Sequence, residues 1–245
     1  MVSVSVTGLT LRFPVYGVDA KSLKKHLARV TVGGRLGGHA HAHYVTALSG
    51  VNLDLQAGDR LGLIGHNGSG KTSLLRALSG AYEPDEGRVE VYGRIASLLD
   101  LSLGIDPTAT GLDNIYLRGR VAGLSPREIE RRLQEIGDFS GLGPYLAMPL
   151  KTYSAGMQAR LAFAVATSVD ADVVLMDEWI AVGDEEFQHS AHNRLEQLIN
   201  RAGILVLASH NLDMIRSYCN KVMRLTAGTT TEVTDIRRLD DLLAA

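Results

Sequence analysis

Gly65-His66-Asn67-Gly68-Ser69-Gly70-Lys71-Thr72 is a complete G-x-x-x-x-G-K-[ST] string, and it decides the fold because each fixed residue type has a task at a phosphate. The glycines let a loop wrap with backbone N–H groups pointing inward. Lys71 supplies a charge between the β- and γ-phosphates, and Thr72, followed by Ser73, offers a hydroxyl to Mg2+. The flanks agree with this reading. Arg60-Leu61-Gly62-Leu63-Ile64 predicts a short buried strand, and Lys71 to Ser79 predicts a helix that Gly80 can stop. Strand, loop and helix in this order form a site for the phosphates of a nucleotide, lined by Gly65, His66, Asn67, Gly68, Ser69, Gly70, Lys71, Thr72 and Ser73.

The rest of the chain narrows the setting. Its 245 residues are 45% hydrophobic, enough for a substantial core, and the formal net charge of −2 provides no general basic field for a nucleic acid backbone. Nucleic acid is therefore not expected as a partner. One cysteine, Cys219, excludes an internal disulfide and reads as a small buried apolar residue. No basic-then-apolar leader and no run of about 18 apolar residues occurs, so membrane contact is expected through a partner or a surface patch.

Two kinds of strand follow from the patterning. Val2 to Val6, Leu9 to Phe13, Val51 to Leu55 and Arg88 to Tyr92 alternate with period two, which predicts half-exposed antiparallel strands. Val173 to Met176 and Ile204 to Ala208 are unbroken apolar runs, which predict parallel strands covered on both faces. Between them Phe187 to Arg201 reads as an amphipathic helix closed by Gly203. From about residue 102 to 168 helices dominate, the best marked starting at Ser125-Pro126-Arg127-Glu128, where Ser125 and Glu128 can form a capping box. The fold class is thus α/β: a mainly parallel core, an antiparallel β subdomain and an inserted helical subdomain, all within one domain, 1–245. Residues 16–43 form a basic, glycine-punctuated excursion, with Lys21, Lys24, Lys25, Arg29 and Arg35, that could touch anionic lipid or a membrane partner. Its His39, His41 and His43 alternate, so the middle one points away from the other two, and a metal is not expected there.

Carboxylates and a histidine end the two apolar runs. Asp177 is placed to hold Mg2+, Glu178 to orient or deprotonate an attacking water, and His210, after Ser209, to hydrogen-bond the γ-phosphate. The segment Tyr153-Ser154-Ala155-Gly156-Met157-Gln158 leads into a helix, so Ser154 and the N–H groups around Gly156 sit where a phosphate anion is favoured.

This last string resembles the signature motif of ATP-binding cassette ATPases, and the order phosphate loop, signature, Asp-Glu, histidine is that family's order. Ala181-Val182-Gly183-Asp184 resembles its D-loop, and Tyr44, with Tyr16 as a rival, resembles its adenine platform. The runs Pro149 to Met157 with Arg160 to Phe163, and Asp177 to Gln188, are similar to the branch that exports O-antigen, capsule or teichoic acid. The chain departs from the family where a glutamine is usual after the third core strand: Ser97 to Leu101 holds Asp100, an acidic residue that could substitute at the metal. Relatives in the branch can carry a C-terminal carbohydrate-binding domain, and none is expected here.

The resemblance implies an ATPase using ATP and Mg2+, bound peripherally at the cytoplasmic face of the inner membrane. It implies a homodimer working with a separate permease dimer, the ATP on Lys71, Thr72 and Asp177 of one copy being completed by Tyr153, Ser154, Ala155, Gly156, Met157 and Gln158 of the other. The cargo it implies is a lipid-linked polysaccharide; a drug or metabolite exporter is the nearest alternative, ahead of a soluble ATPase of the same family or a nucleotide switch. Lys71→Ala is expected to abolish glycan export, and normal export by that variant would refute the role given to the phosphate loop.

Overall fold

The computed structural model describes residues 1–15, 35–39, 42–101, 104–178 and 185–244. The order of elements is β1 (Ser3–Val15), β2 (Arg35–His39), β3 (Ala42–Gln56), β4 (Arg60–Ile64), α1 (Lys71–Leu78), β5 (Glu86–Tyr92), β6 (Ile95–Ser97), α2 (Gly111–Val121), α3 (Pro126–Ser140) and α4 (Ala155–Ala166). Then come β7 (Val173–Asp177), α5 (Glu185–Arg201), β8 (Ile204–Ala208), α6 (Leu212–Tyr218), β9 (Lys221–Thr226), β10 (Thr229–Thr230), β11 (Thr234–Asp235) and α7 (Leu239–Ala244). Among the described residues no helix is long and apolar enough to cross a membrane. Two compact units divide these elements. The first holds β1 to β5, α1, the end of β7, β8 to β11, α6 and α7; the second holds β6, α2 to α4, the start of β7 and α5.

In the first unit an antiparallel sheet has the order β2-β3-β1-β5. The runs Val2 to Val6 and Leu9 to Phe13, which read as separate strands, are one. The register on β3 slips between the pairs Val6–Leu53 and Leu9–Val51. Asn52 Oδ1 accepts the Gly8 N–H at 2.9 Å inside that slip, so the chain bulges without breaking. Val4 and Val6 before the bulge and Leu9 and Leu11 after it are buried, and the bulge absorbs the odd step between Val6 and Leu9.

The second sheet is parallel where the apolar runs predicted it. β4 lies between β8 and β9 and is parallel to both, and β7 follows β8 in the order. Leu61, Leu63, Val206 and Leu207 are all 0% exposed. Strands covered on both faces have no polar side to show, hence their unbroken hydrophobicity. Cys219 is buried beside this sheet, and its thiol is pushed up to about 12 by that burial, which makes it inert rather than nucleophilic.

The second unit is wider than the stretch 102–168 that composition marks as helical, because β6 and α5 belong to it. Its core joins Ile115, Ile129, Ile136, Leu150, Leu161 and Val165 from three helices and a turn. Phe139, Phe163 and Phe187 pack together beside it, and the Arg194 guanidinium lies 4.3 Å from the Phe139 ring centre. Ser125 caps α3 as the sequence indicates: its Oγ accepts the Glu128 N–H at 3.3 Å, and Glu128 Oε2 accepts the Ser125 N–H at 2.8 Å. Arg94 Nη1 donates to the other Glu128 oxygen at 3.1 Å.

The Glu128 carboxyl is held down to about 2, chiefly by the Ser125 backbone N–H and then by the Ser125 hydroxyl and Arg94. A carboxyl depressed in the folded state adds stability above its unfolded value and loses that contribution as the pH falls. Glu128→Gln is expected to lower the urea midpoint relative to wild type at pH 7. The difference should shrink as the pH drops from about 4.5 toward about 2; an undiminished difference at the acid end would contradict this account.

Candidate functional site: a phosphate loop at the edge of the parallel sheet

β4 stops at Ile64, and the chain turns at Gly65 with φ 147. A Cβ there would overlap the Leu225 carbonyl oxygen and come within 2.8 Å of Ser69 Oγ, so only glycine fits so close to β9. The loop then climbs to Gly70, which precedes α1 with φ 110 and provides no side-chain cap; the first turn holds no acidic residue. The helix N-terminus thus presents uncapped N–H groups and positive potential. Ser69 Oγ is buried with no hydrogen-bond partner among the described residues. An unmatched hydroxyl and open N–H donors fit an incoming phosphate.

Lys71 completes the cradle. It is 7% exposed, and its Nζ donates to the carbonyls of Gly65 at 2.7 Å and His66 at 3.2 Å. Burial pulls its proton affinity down, while the charges of Asp177 and Glu178 oppose that shift. His210 Nε2 stands 3.5 Å from the ammonium, at the outer limit of a hydrogen bond. Lys71 and His210, with the loop residues Asn67 to Gly70, Thr72 and Ser73, Val45 and Ala47 from β3, and Asp177, line an open cleft of about 260 Å3.

The sheet edge brings two carboxylates to this cleft region from far along the chain. Thr72 Oγ1 donates to Asp177 Oδ2 at 2.5 Å. A hydroxyl and a carboxylate side by side form a hard oxygen donor pair, and Thr72 and Asp177 could hold Mg2+ through them. Glu178 follows with φ 71, a left-handed conformation that costs about 1–2 kcal/mol for a residue with a side chain. Its N–H donates to Ala208 O at 2.8 Å. Its carboxylate accepts the Ser209 hydroxyl at 2.5 Å and the His210 backbone N–H at 3.2 Å.

Tyr44 is not among the described residues that line the cleft. Val45 and Ala47 line the cleft, and strand alternation sets Tyr44 on the opposite face of β3. The wall formed by Val45 and Ala47 was not legible in the sequence, since small apolar residues in a strand carry no chemical signal. Tyr16, Asp184 and His41 lie outside the described residues, as do the side chains of His39 and His43.

The signature segment lies in the second unit and splits into two roles. Tyr153 is buried in the helical core and its hydroxyl donates to Tyr145 O at 2.6 Å; Gln158 Nε2 donates to Leu150 O at 3.3 Å. Ser154, Ala155 and Gly156 are exposed. α4 begins at Ala155, inside the segment that leads into it, because Ser154 is its N-cap and accepts the Met157 N–H at 3.2 Å. Also in the second unit, Arg118 is 7% exposed, donates to Leu101 O and lies close enough to Asp100 to feel its charge. Burial brings the Arg118 guanidinium down to about 10, and Asp100 opposes this. Asp100 stands out in the sequence as an acidic residue, whereas the arginine beside it comes from α2 and carries no local signal of that pairing.

Residues 48–181 match the family model described as ABC transporter, a span that takes in the phosphate loop, the signature and both carboxylates. The chain belongs to the ABC transporter family. Among curated ABC proteins it is 39% identical to the O-antigen export system ATP-binding protein RfbE of Yersinia enterocolitica, over 95% of this chain and 98% of that one. It is 33% identical to the teichoic acids export ATP-binding protein TagH of Bacillus anthracis, over 81% of this chain but only 36% of that longer one. Among solved structures it resembles the dimeric post-hydrolysis state of the ATP-binding cassette MJ0796 bound to ADP and Pi. The TM-score is 0.67 at 19% identity, over 96% of this chain and 99% of that one, and the likeness is one of fold.

Asp177→Asn keeps the shape of the Thr72 partner and removes its charge. It is expected to raise the Mg2+ concentration for half-maximal ATP hydrolysis by about tenfold, equal to about 1.4 kcal/mol. Metal-free nucleotide binding should change little. An unchanged Mg2+ requirement in a magnesium titration would exclude Asp177 from the metal site.

Proposed function

We propose that this chain is the ATP-hydrolysing subunit of an exporter that moves a lipid-linked cell-surface polysaccharide across the cytoplasmic membrane, working peripherally on its cytoplasmic face. The observation that carries this is the conjunction of the phosphate cradle and sheet-edge carboxylates with near full-length similarity to an O-antigen export ATP-binding protein. Similarity to a teichoic acid export protein supports a polymer cargo rather than a small solute.

The chemistry follows from the groups present. The α1 N-terminus and Lys71 bind and orient the triphosphate, and Lys71 neutralises charge that grows on it during transfer. Mg2+, when held by Thr72 and Asp177, supplies further charge stabilisation. Glu178, within reach of the cleft, accepts the proton of the attacking water, and His210 donates to the γ-phosphate. The exposed N–H groups at the start of α4 belong to a second helix N-terminus fit for phosphate, and in this proposal they serve the nucleotide of a second copy of the chain. Closure of two copies around ATP and reopening after hydrolysis would drive a separate membrane permease.

Glu178→Gln tests this directly. It is expected to leave ATP binding intact, to lower kcat by about 100-fold or more, and to leave the polymer inside the cell. The two measurements are phosphate release by the purified full chain and immunodetection of surface glycan in cells carrying only the variant. Wild-type surface polymer in those cells would overturn the proposal.

A further inference from the structure

Ser209 ends the buried run of β8 and is 1% exposed, yet its hydroxyl has two partners. Its Oγ accepts the Asn211 N–H at 3.0 Å and donates to Glu178 Oε1 at 2.5 Å. A serine hydroxyl has one proton and two lone pairs. With Asn211 on a lone pair, the geometry directs that proton to the carboxylate. The other oxygen, Oε2, accepts the His210 N–H at 3.2 Å. Both oxygens of Glu178 are therefore tied to the end of β8, while its backbone is fixed at φ 71 by a bond to Ala208 O.

We infer that Ser209 is a positioning residue for Glu178, holding its carboxylate in a single orientation at the edge of the phosphate cleft. Glu178 itself is exposed, and an exposed glutamate left alone samples many rotamers. Ser209 is buried and has little freedom left to lose, so its hydrogen bond restrains the carboxylate at low entropic cost. It carries no charge, and it acts on the reaction only through Glu178. Main-chain bonds from His210 and to Ala208 survive a change at position 209, so among the described residues the serine hydroxyl is the one removable side-chain part of this restraint. This inference rests on the proposed role of Glu178 as the base that meets the attacking water.

The test is a double-mutant cycle on the purified full chain, read by single-turnover ATP hydrolysis, nucleotide affinity and thermal midpoint. Ser209→Ala is expected to lower the hydrolytic rate about 10- to 100-fold, the scale of a misplaced reacting group. Nucleotide affinity should stay within about twofold, since only the chemical step loses a partner. Ser209→Cys, close in size but a weak donor, should fall as far, and it carries the same expectation if the alanine variant does not fold. Ser209→Thr, which keeps the hydroxyl, should retain most of the rate. In a Glu178→Gln background Ser209→Ala should cause no further loss. An unchanged or raised rate in Ser209→Ala and Ser209→Cys, or an equal fold-loss in both backgrounds, would overturn the inference. Full activity of Glu178→Gln alone would instead remove the role of Glu178 on which it rests.

Discussion

The hydrogen bond from Thr72 to Asp177 spans 105 positions of sequence and joins the first turn of α1 to the end of β7. It exists because parallel strands with crossover connections all end at one edge of their sheet. β4 delivers the phosphate loop there, β7 delivers Asp177 and Glu178, and β8 delivers Ser209 and His210. The long-range contacts among Thr72, Asp177, Glu178, Ser209 and His210 depend on that shared edge. Strand register sets which residue emerges at the rim, and the register of β4 on β8 runs from Arg60–Leu205 to Leu63–Ala208.

Charge at the edge is held in tension. The Lys71 ammonium is nearly buried, and two carbonyl oxygens offset only part of the solvation it has lost. Burial destabilises its charged form while Asp177 and Glu178 stabilise it. An incoming phosphate supplies the missing negative charge and also meets the uncapped N–H groups of α1. The strained φ of Glu178 belongs to the same arrangement. Its backbone and both carboxylate oxygens are bonded, so the surroundings over-determine a conformation that the residue alone would avoid.

The second unit handles its polar groups in another way. Tyr153 and Gln158 secure the signature segment from within, leaving Ser154 to cap α4 and the next two residues exposed. Asn114, fully buried, accepts the Asp106 N–H and donates to carbonyls of Asp106, Ala109 and Thr110, which fixes the approach to α2. Ser140, Thr167 and Ser168 instead donate to carbonyls at the C-terminal ends of α3 and α4, and the apolar helical faces form the core.

Much was fixed by residue type alone. The phosphate loop needs glycines at set positions, α3 needs a capping serine with a glutamate three residues on, and fully covered strands need unbroken apolar runs; all are local constraints that leave a mark in sequence. The family and the pairing of Asp177 with Glu178 were legible for the same reason. Tertiary structure alone decided that Leu9 continues the strand of Val6 across a bulge, that Val45 and Ala47 rather than Tyr44 face the cleft, and that Arg118 lies beside Asp100. It also decided that Ser209 binds Glu178. Each of these depends on which face or register a residue takes relative to a partner far along the chain, and one residue of slip would reverse it.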